Sequence, residues 1–161
     1  QLFGSGAILN CSLAAQEMLA EKFQIASTVW SVTSYTELAR GAQAAERHNR
    51  LHPTEKPKRS YLEEIIADQE GPFIAASDYV RAVAEQISPW IPGDLYVLGT
   101  DGLGRSETRD ALRRHFEVDA ESIVIATLYK LAQQEKLPLK KVGEAIKQLN
   151  YDQNKVDPYF A

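Results

Sequence analysis

The side chains most able to do chemistry gather in one run, Asp101-Gly102-Leu103-Gly104-Arg105-Ser106-Glu107-Thr108-Arg109. Its two glycines lack a Cβ and so let the backbone come close to another segment or to a ligand. Arg105 and Arg109 carry planar guanidinium forks that match carboxylate or phosphate oxygens two at a time. Ser106 can cap a helix that begins just after it. One reading of this run is an anion site or an interface clamp. The other is a loop stapled internally, Asp101 to Arg105, with Ser106 committed to the helix start. Residue types leave both open.

Other combinations are weaker. Gly4-Ser5-Gly6 begins like a dinucleotide fingerprint, but Leu9 stands in place of the third glycine. No acidic residue ends the next strand at Ser31 to Thr33, so a plain tight turn between strand and helix is the simpler account. His48 and His52 are four apart and can share a helical face, yet the metalloprotease pattern needs Glu where Asn49 stands. With Pro53 ending the helix and only Glu55 close by, a solvated pair is expected rather than a zinc site. Cys11, early in a helix with no histidine near it in sequence, reads as a small buried residue. Arg113-Arg114-His115 reads as a solvated helix end, where cations complement the dipole. There is no Ser-His-Asp arrangement, no phosphate-binding P-loop and no Cys-x-x-Cys pair.

The elements that position these residues follow from periodicity. Gln1 to Phe3 is a strand stub, and Ile8 to Phe23 is a helix with Ile8, Leu9, Leu13, Met18 and Leu19 on its apolar face. Ile25 to Val32 is rich in β-branched residues and predicts a strand. Two capping boxes, Ser34…Glu37 and Ser60…Glu63, open a helix to about Arg50 and a shorter one to about Asp68. Between them His52 to Arg59 is a polar connector. Phe73 to Ala76 is the third strand, with Ser77-Asp78 capping a helix to about Ile87. Tyr96 to Gly99 is the fourth strand. Helices are predicted over Glu107 to Phe116, Ala120 to Glu135 and Pro138 to Leu149, the last with proline in its first turn. Tyr151 to Ala161 reads as a surface tail. Strands alternating with helices imply an α/β domain of three layers, a parallel or mostly parallel sheet with helices on both faces. In such a sheet the loops Gly4-Ser5-Gly6, Ser77-Asp78 and Thr100 to Ser106 share one edge, so Asp78, Asp101, Arg105 and Ser106 are expected side by side.

Composition sets the outer bounds. The chain has 161 residues, about one domain's worth, with 44% hydrophobic and 25% charged residues, which excludes disorder and collagen-like structure. Eighteen basic against 22 acidic residues give a net charge of -4, the opposite of a phosphate-binding nucleic-acid partner. No apolar run approaches the ~18 residues of a membrane span. A single cysteine forms no internal disulfide, so a reducing cytosol is the default compartment. Opening on Gln1 inside a strand, with its one methionine at Met18, the chain is expected to be a piece of a longer polypeptide.

Several segments, taken together, resemble a known family. They are Trp30-Ser31-Val32-Thr33-Ser34-Tyr35-Thr36-Glu37-Leu38-Ala39-Arg40, Glu46 to Glu55, Ala76-Ser77-Asp78-Tyr79 with Ala84-Glu85-Gln86, and Leu98-Gly99-Thr100-Asp101-Gly102-Leu103-Gly104-Arg105-Ser106 continuing through Leu112 to Asp119. In order and spacing these are similar to the C-terminal domain of the bacterial homodimeric pyruvate dehydrogenase, the thiamine-dependent decarboxylating component. The likeness runs from Gln1 to Asp119 and more loosely beyond, with His48 where the family usually has tryptophan and Leu103 where it has phenylalanine. It implies the fold of a transketolase C-terminal domain, the third domain of a large subunit. It implies thiamine diphosphate and magnesium bound by the first two domains at a dimer interface, and neither on this chain. The family's Gly-Asp-Gly followed by Asn-Asn is absent here, so no catalytic, cofactor or metal residue carries over. The implied whole enzyme is cytoplasmic, decarboxylates pyruvate and reductively acetylates the lipoyl group of dihydrolipoyl acetyltransferase. Its partners would be the other two domains of the subunit, the second subunit of the homodimer and the acetyltransferase core, with no nucleic acid and no membrane. This domain would be inert alone and structural in the whole. Asp78, Asp101, Gly102, Gly104, Arg105, Ser106 and Arg109 are the residues expected at an interface or anion loop. A free-standing α/β module that binds an anion or a partner, and the C-terminal domain of another thiamine enzyme such as a transketolase, are the alternatives.

Overall fold

A computed structural model describes residues 1–161. Its strands β1 (Leu2–Gly4), β2 (Val29–Ser31), β3 (Phe73–Ala76) and β4 (Leu95–Leu98) form one parallel sheet in the order β2-β1-β3-β4. Leu2 lies opposite Val29 on one side and Ile74 on the other, and Phe73 lies opposite Leu95. Every residue of β3 is buried, as a central strand covered on both faces requires. The two-residue alternation then sorts side chains into two cores. Leu2, Ile74, Ala76 and Leu98 enter one, while Phe3, Phe73, Ala75 and Val97 enter the other.

The first core is covered by α1 (Leu9–Phe23), α6 (Ala120–Gln133) and α7 (Leu139–Gln148), the second by α2 (Tyr35–Leu51), α3 (Tyr61–Ile66) and α4 (Arg81–Glu85). A short α5 (Arg109–His115) leans on the first core through Leu112. The three-layer α/β architecture read from the sequence is the one observed. No helix is long and apolar enough to cross a membrane.

The inward face of α1 differs from expectation. Cys11, Ser12, Ala15 and Leu19 are buried, and Leu13 is turned out at 48% exposure. Positions 8, 11, 12, 15 and 19 share one helical face and 13 lies off it, and the approach to β1 is close, since a Cβ on Gly4 would stand 2.8 Å from the Leu9 Cα. The second strand is also shorter than the β-branched run. Only Val29–Ser31 is strand, matching residue for residue its single neighbour β1, which is itself three residues long.

Capping departs from the sequence pattern in four places. Ser60 and Glu63 make the full box, but Ser34 makes half of one: its Oγ accepts from the Glu37 amide while Glu37 turns to Arg40 at 2.6 Å. Ser77-Asp78 does not cap α4, which starts only at Arg81 with Val80 before it; the Ser77 Oγ instead accepts from the Tyr79 amide in a local turn. Thr108, not Ser106, caps α5. Pro138 stands at the cap of α7, one place before its first turn.

The winding carries a positional consequence. From β1 the chain crosses through α1 to β2 on one side; from β3 it crosses through α4 to β4 on the other. The direction reverses between β1 and β3, and at their carboxyl ends a crevice opens.

Candidate functional site

Three loops meet at that crevice. The loop after β1 is held when the Ser5 amide donates to the Ala76 carbonyl at 3.2 Å, and the loop after β3 when the Ser77 amide donates to the Leu98 carbonyl at 3.2 Å. The loop after β4 is tied to the β3 loop twice: the Thr100 amide donates to the Tyr79 carbonyl at 2.9 Å, and the Thr100 hydroxyl to the Asp78 carbonyl at 2.9 Å. Gly6, at φ +57°, passes beside Asp78, where a Cβ would stand 3.3 Å from Oδ1. Parallel topology thus brings the loops to one edge, where Asp78 lines a groove with Thr100, Gly102, Gly104 and Arg105.

At this edge the side chains divide in a way residue types did not specify. Asp101 does not staple Arg105. Its Oδ2 accepts from the Arg81 backbone amide and from the Arg81 Nε, both at 3.0 Å. Arg81 is the first residue of α4, so Asp101 supplies from the neighbouring loop after β4 the cap that α4 lacks in its own sequence. Ser106 is exposed, and its expected role at the helix start belongs to Thr108.

Arg105 and Arg109 face a groove of about 570 Å³ together with Asp78, Gly102 and Gly104. Arg113, read from the sequence as part of a solvated helix end, joins them there and is only 26% exposed. The spacing of Arg109 and Arg113 was the available signal, since positions four apart share a helix face. Neither Arg105 nor Arg109 makes an ion pair within the chain, and Arg113 has only Asp110 at 3.7 Å. Ile8, Leu112, Phe116 and Val118 give the groove an apolar floor. The His115 imidazole nearby is held below its ordinary pKa by burial first, then by the positive charges of Arg105 and Lys155.

The terminal segment also reaches this edge. Lys155 Nζ donates to the carbonyls of Arg114 at 3.0 Å and His115 at 2.6 Å, and pairs with Glu117 at 3.1 Å. The Tyr151 hydroxyl lies 2.8 Å from the Ser122 Oγ, and burial pushes its pKa up to about 12. Beyond Lys155 the backbone crosses Gly102, where a Cβ would stand 2.1 Å from the Pro158 carbonyl oxygen. Nothing in the residue types of this segment announces that contact.

The remaining candidates resolve simply. The His48 and His52 rings stack at 4.5 Å and both approach Glu55, at 3.4 and 3.1 Å. No group of three or more His, Cys, Asp or Glu side chains is arranged to hold a metal ion. Cys11 is buried, which pushes its thiol pKa up and away from the nucleophilic thiolate.

Comparison with known proteins places these features in a family. Residues 1–119 match the family model described as the transketolase-like TK C-terminal domain. The chain is 47% identical over 162 residues to the pyruvate dehydrogenase E1 component of Escherichia coli K12, an alignment covering all of this chain and 18% of that protein. It is 48% identical over 159 residues to the Pseudomonas aeruginosa pyruvate dehydrogenase E1 component, covering 98% of this chain and 18% of that protein. Against the Mycolicibacterium smegmatis pyruvate dehydrogenase E1 component the identity is 43% over 152 residues, covering 94% and 16%. The chain therefore spans less than a fifth of the length of these curated relatives.

Proposed function

The chain belongs to the transketolase-like TK C-terminal domain family, and from that membership we propose that it is the C-terminal portion of a pyruvate dehydrogenase E1-type subunit, structural in role and inert alone. One observation carries the reading: between 94% and 100% of this chain aligns, at 43–48% identity, with E1 components several times its length. The whole subunit would decarboxylate pyruvate and pass the acetyl group to a lipoyl group of dihydrolipoyl acetyltransferase, as a cytoplasmic homodimer within a multienzyme complex. Thiamine diphosphate with magnesium would supply the decarboxylation chemistry.

The residues of this chain do not fit that cofactor. Magnesium takes near-octahedral oxygen ligands beside the diphosphate, and no such cluster of side chains is assembled here. At the carboxyl edge Asp101 is committed to Arg81, and Asp78 is the one carboxylate among the guanidinium and apolar side chains that line the groove. The groove offers neither a nucleophile nor a general base beside an activated partner. What the domain contributes is packed surface, with Asp78, Gly102, Gly104, Arg105 and Arg109 on the face we assign to assembly.

The test compares two proteins: the full-length product of the gene and residues 1–161 alone. The longer protein is expected to decarboxylate pyruvate only with thiamine diphosphate and magnesium, while calorimetry on the short one detects no cofactor binding. Micromolar, magnesium-dependent binding by residues 1–161 would overturn the assignment of the cofactor to the rest of the subunit.

A further inference from the structure

The arginine groove has a property that packing within this chain does not explain. Three guanidiniums, those of Arg105, Arg109 and Arg113, share one groove with the Asp78 carboxylate at the reversal point of the sheet, and only Arg113 makes an ion pair within 4 Å, with Asp110 at 3.7 Å. Guanidinium stays charged at every physiological pH. With three guanidiniums against one carboxylate, the groove is a net positive spot on a chain whose net charge is -4. Beneath the charges lies the apolar floor of Ile8, Leu112, Phe116 and Val118. Reversal-point crevices commonly take small ligands, and such sites enclose most of the ligand. This groove has no outer wall. Arg105 and Arg109 are exposed, Leu103 on the same loop is 75% exposed, and Tyr79 beside it is 57% exposed. An open groove with Leu103 and Tyr79 exposed on the loops that form it fits a polypeptide surface laid across it better than a free anion.

We propose that this groove docks an acidic segment, an Asp or Glu side chain flanked by an apolar one, from the part of the same subunit that lies outside these residues. The inference rests on the E1-subunit reading. The relatives' length supplies the candidate surface, since this chain accounts for 18% of the first of them. Covalent linkage presents such a segment at an effective concentration that a separate molecule rarely matches. Carboxylates held by unpartnered guanidinium forks over an apolar floor then fix the register of the docked surface.

The backbone provides its own reporter. No amide from Asp101 to Glu107 donates to a backbone carbonyl within the chain, so uncovered they exchange with solvent at intrinsic rates. Hydrogen exchange on the full-length protein is expected to show these amides slowed tenfold or more, and the protection is expected to vanish in the R105A/R109A/R113A variant. Exchange at intrinsic rates in the wild type overturns the proposal, and that result stands even if the variant fails to fold. Protection that survives in a folded triple variant overturns the role of the charges. Protection that appears only on adding inorganic phosphate identifies a free-anion site, and protection lost on dilution to monomers puts the acidic segment on a second subunit; either overturns it. The underlying reading is scored separately, by thiamine-dependent pyruvate decarboxylation in the wild-type protein.

Discussion

Gly102 and Gly104 share one loop, yet only one of them is needed for its lack of a side chain. At Gly102 a Cβ would meet the Pro158 carbonyl at 2.1 Å and the backbone sits at φ +112°; at Gly104 nothing lies within 4 Å. A collision with backbone cannot be relieved by turning a side chain. Gly102→Ala is therefore expected to lower unfolding stability by about 1–3 kcal/mol and to release the terminal segment. Gly104→Ala should leave stability within about 0.5 kcal/mol of the wild type. Denaturant unfolding of the two variants checks both, and equal effects would show that the Pro158 contact does not hold in solution. From the sequence the pair looked equivalent, because a glycine does not say what comes near it. The same limit applies to Asp101: its type announced an ion pair, but its partner proved to be Arg81 rather than Arg105.

Among the helices, the Ser60-Glu63 box is legible in the sequence because both partners lie within one turn. Ser60 and Glu63 form their box because the reciprocal bonds span three residues and need nothing else: the Glu63 Oε2 accepts from the Ser60 amide at 2.8 Å and from its hydroxyl at 2.6 Å. These bonds hold the Glu63 carboxyl below the usual range. A lowered folded pKa means stability that is present above the unfolded value, about 4.3, and is lost as pH falls through the folded one. Glu63→Gln should therefore cost about 0.5–1 kcal/mol at pH 7, and the gap to wild type should close on acidifying below about pH 4. Urea midpoints of both proteins across pH 3 to 7 (about four units) measure this; a gap that widens in acid would contradict the sign. At Ser34 a local competitor, Arg40, takes Glu37, whereas at α4 a tertiary contact decides the cap. The first amide of α4 is satisfied by Asp101, twenty positions along the chain, so Ser77 and Asp78 were free to turn instead.

Across the whole molecule the terminal segment links α5 to the edge of the sheet. Lys155, 17% exposed on its side chain, closes the carboxyl end of α5 through two carbonyls and reaches Glu117. Lys155→Met keeps the apolar stem and removes the donors, which should cost about 1–2 kcal/mol. Limited proteolysis should then cut between residues 151 and 161 well before the helices; an unchanged cleavage pattern would show that the segment is held elsewhere. The sequence by itself determined the layer architecture, because strands buried on both faces must be continuously apolar, and helices with one polar face must cover them. It also determined that three loops share an edge, which follows from parallel strands alone. Only the tertiary structure decided which charges meet. Asp101 went to Arg81, Arg113 joined Arg105 and Arg109, and Lys155 closed α5, because ion pairs and caps between distant segments depend on distances that local pattern does not encode.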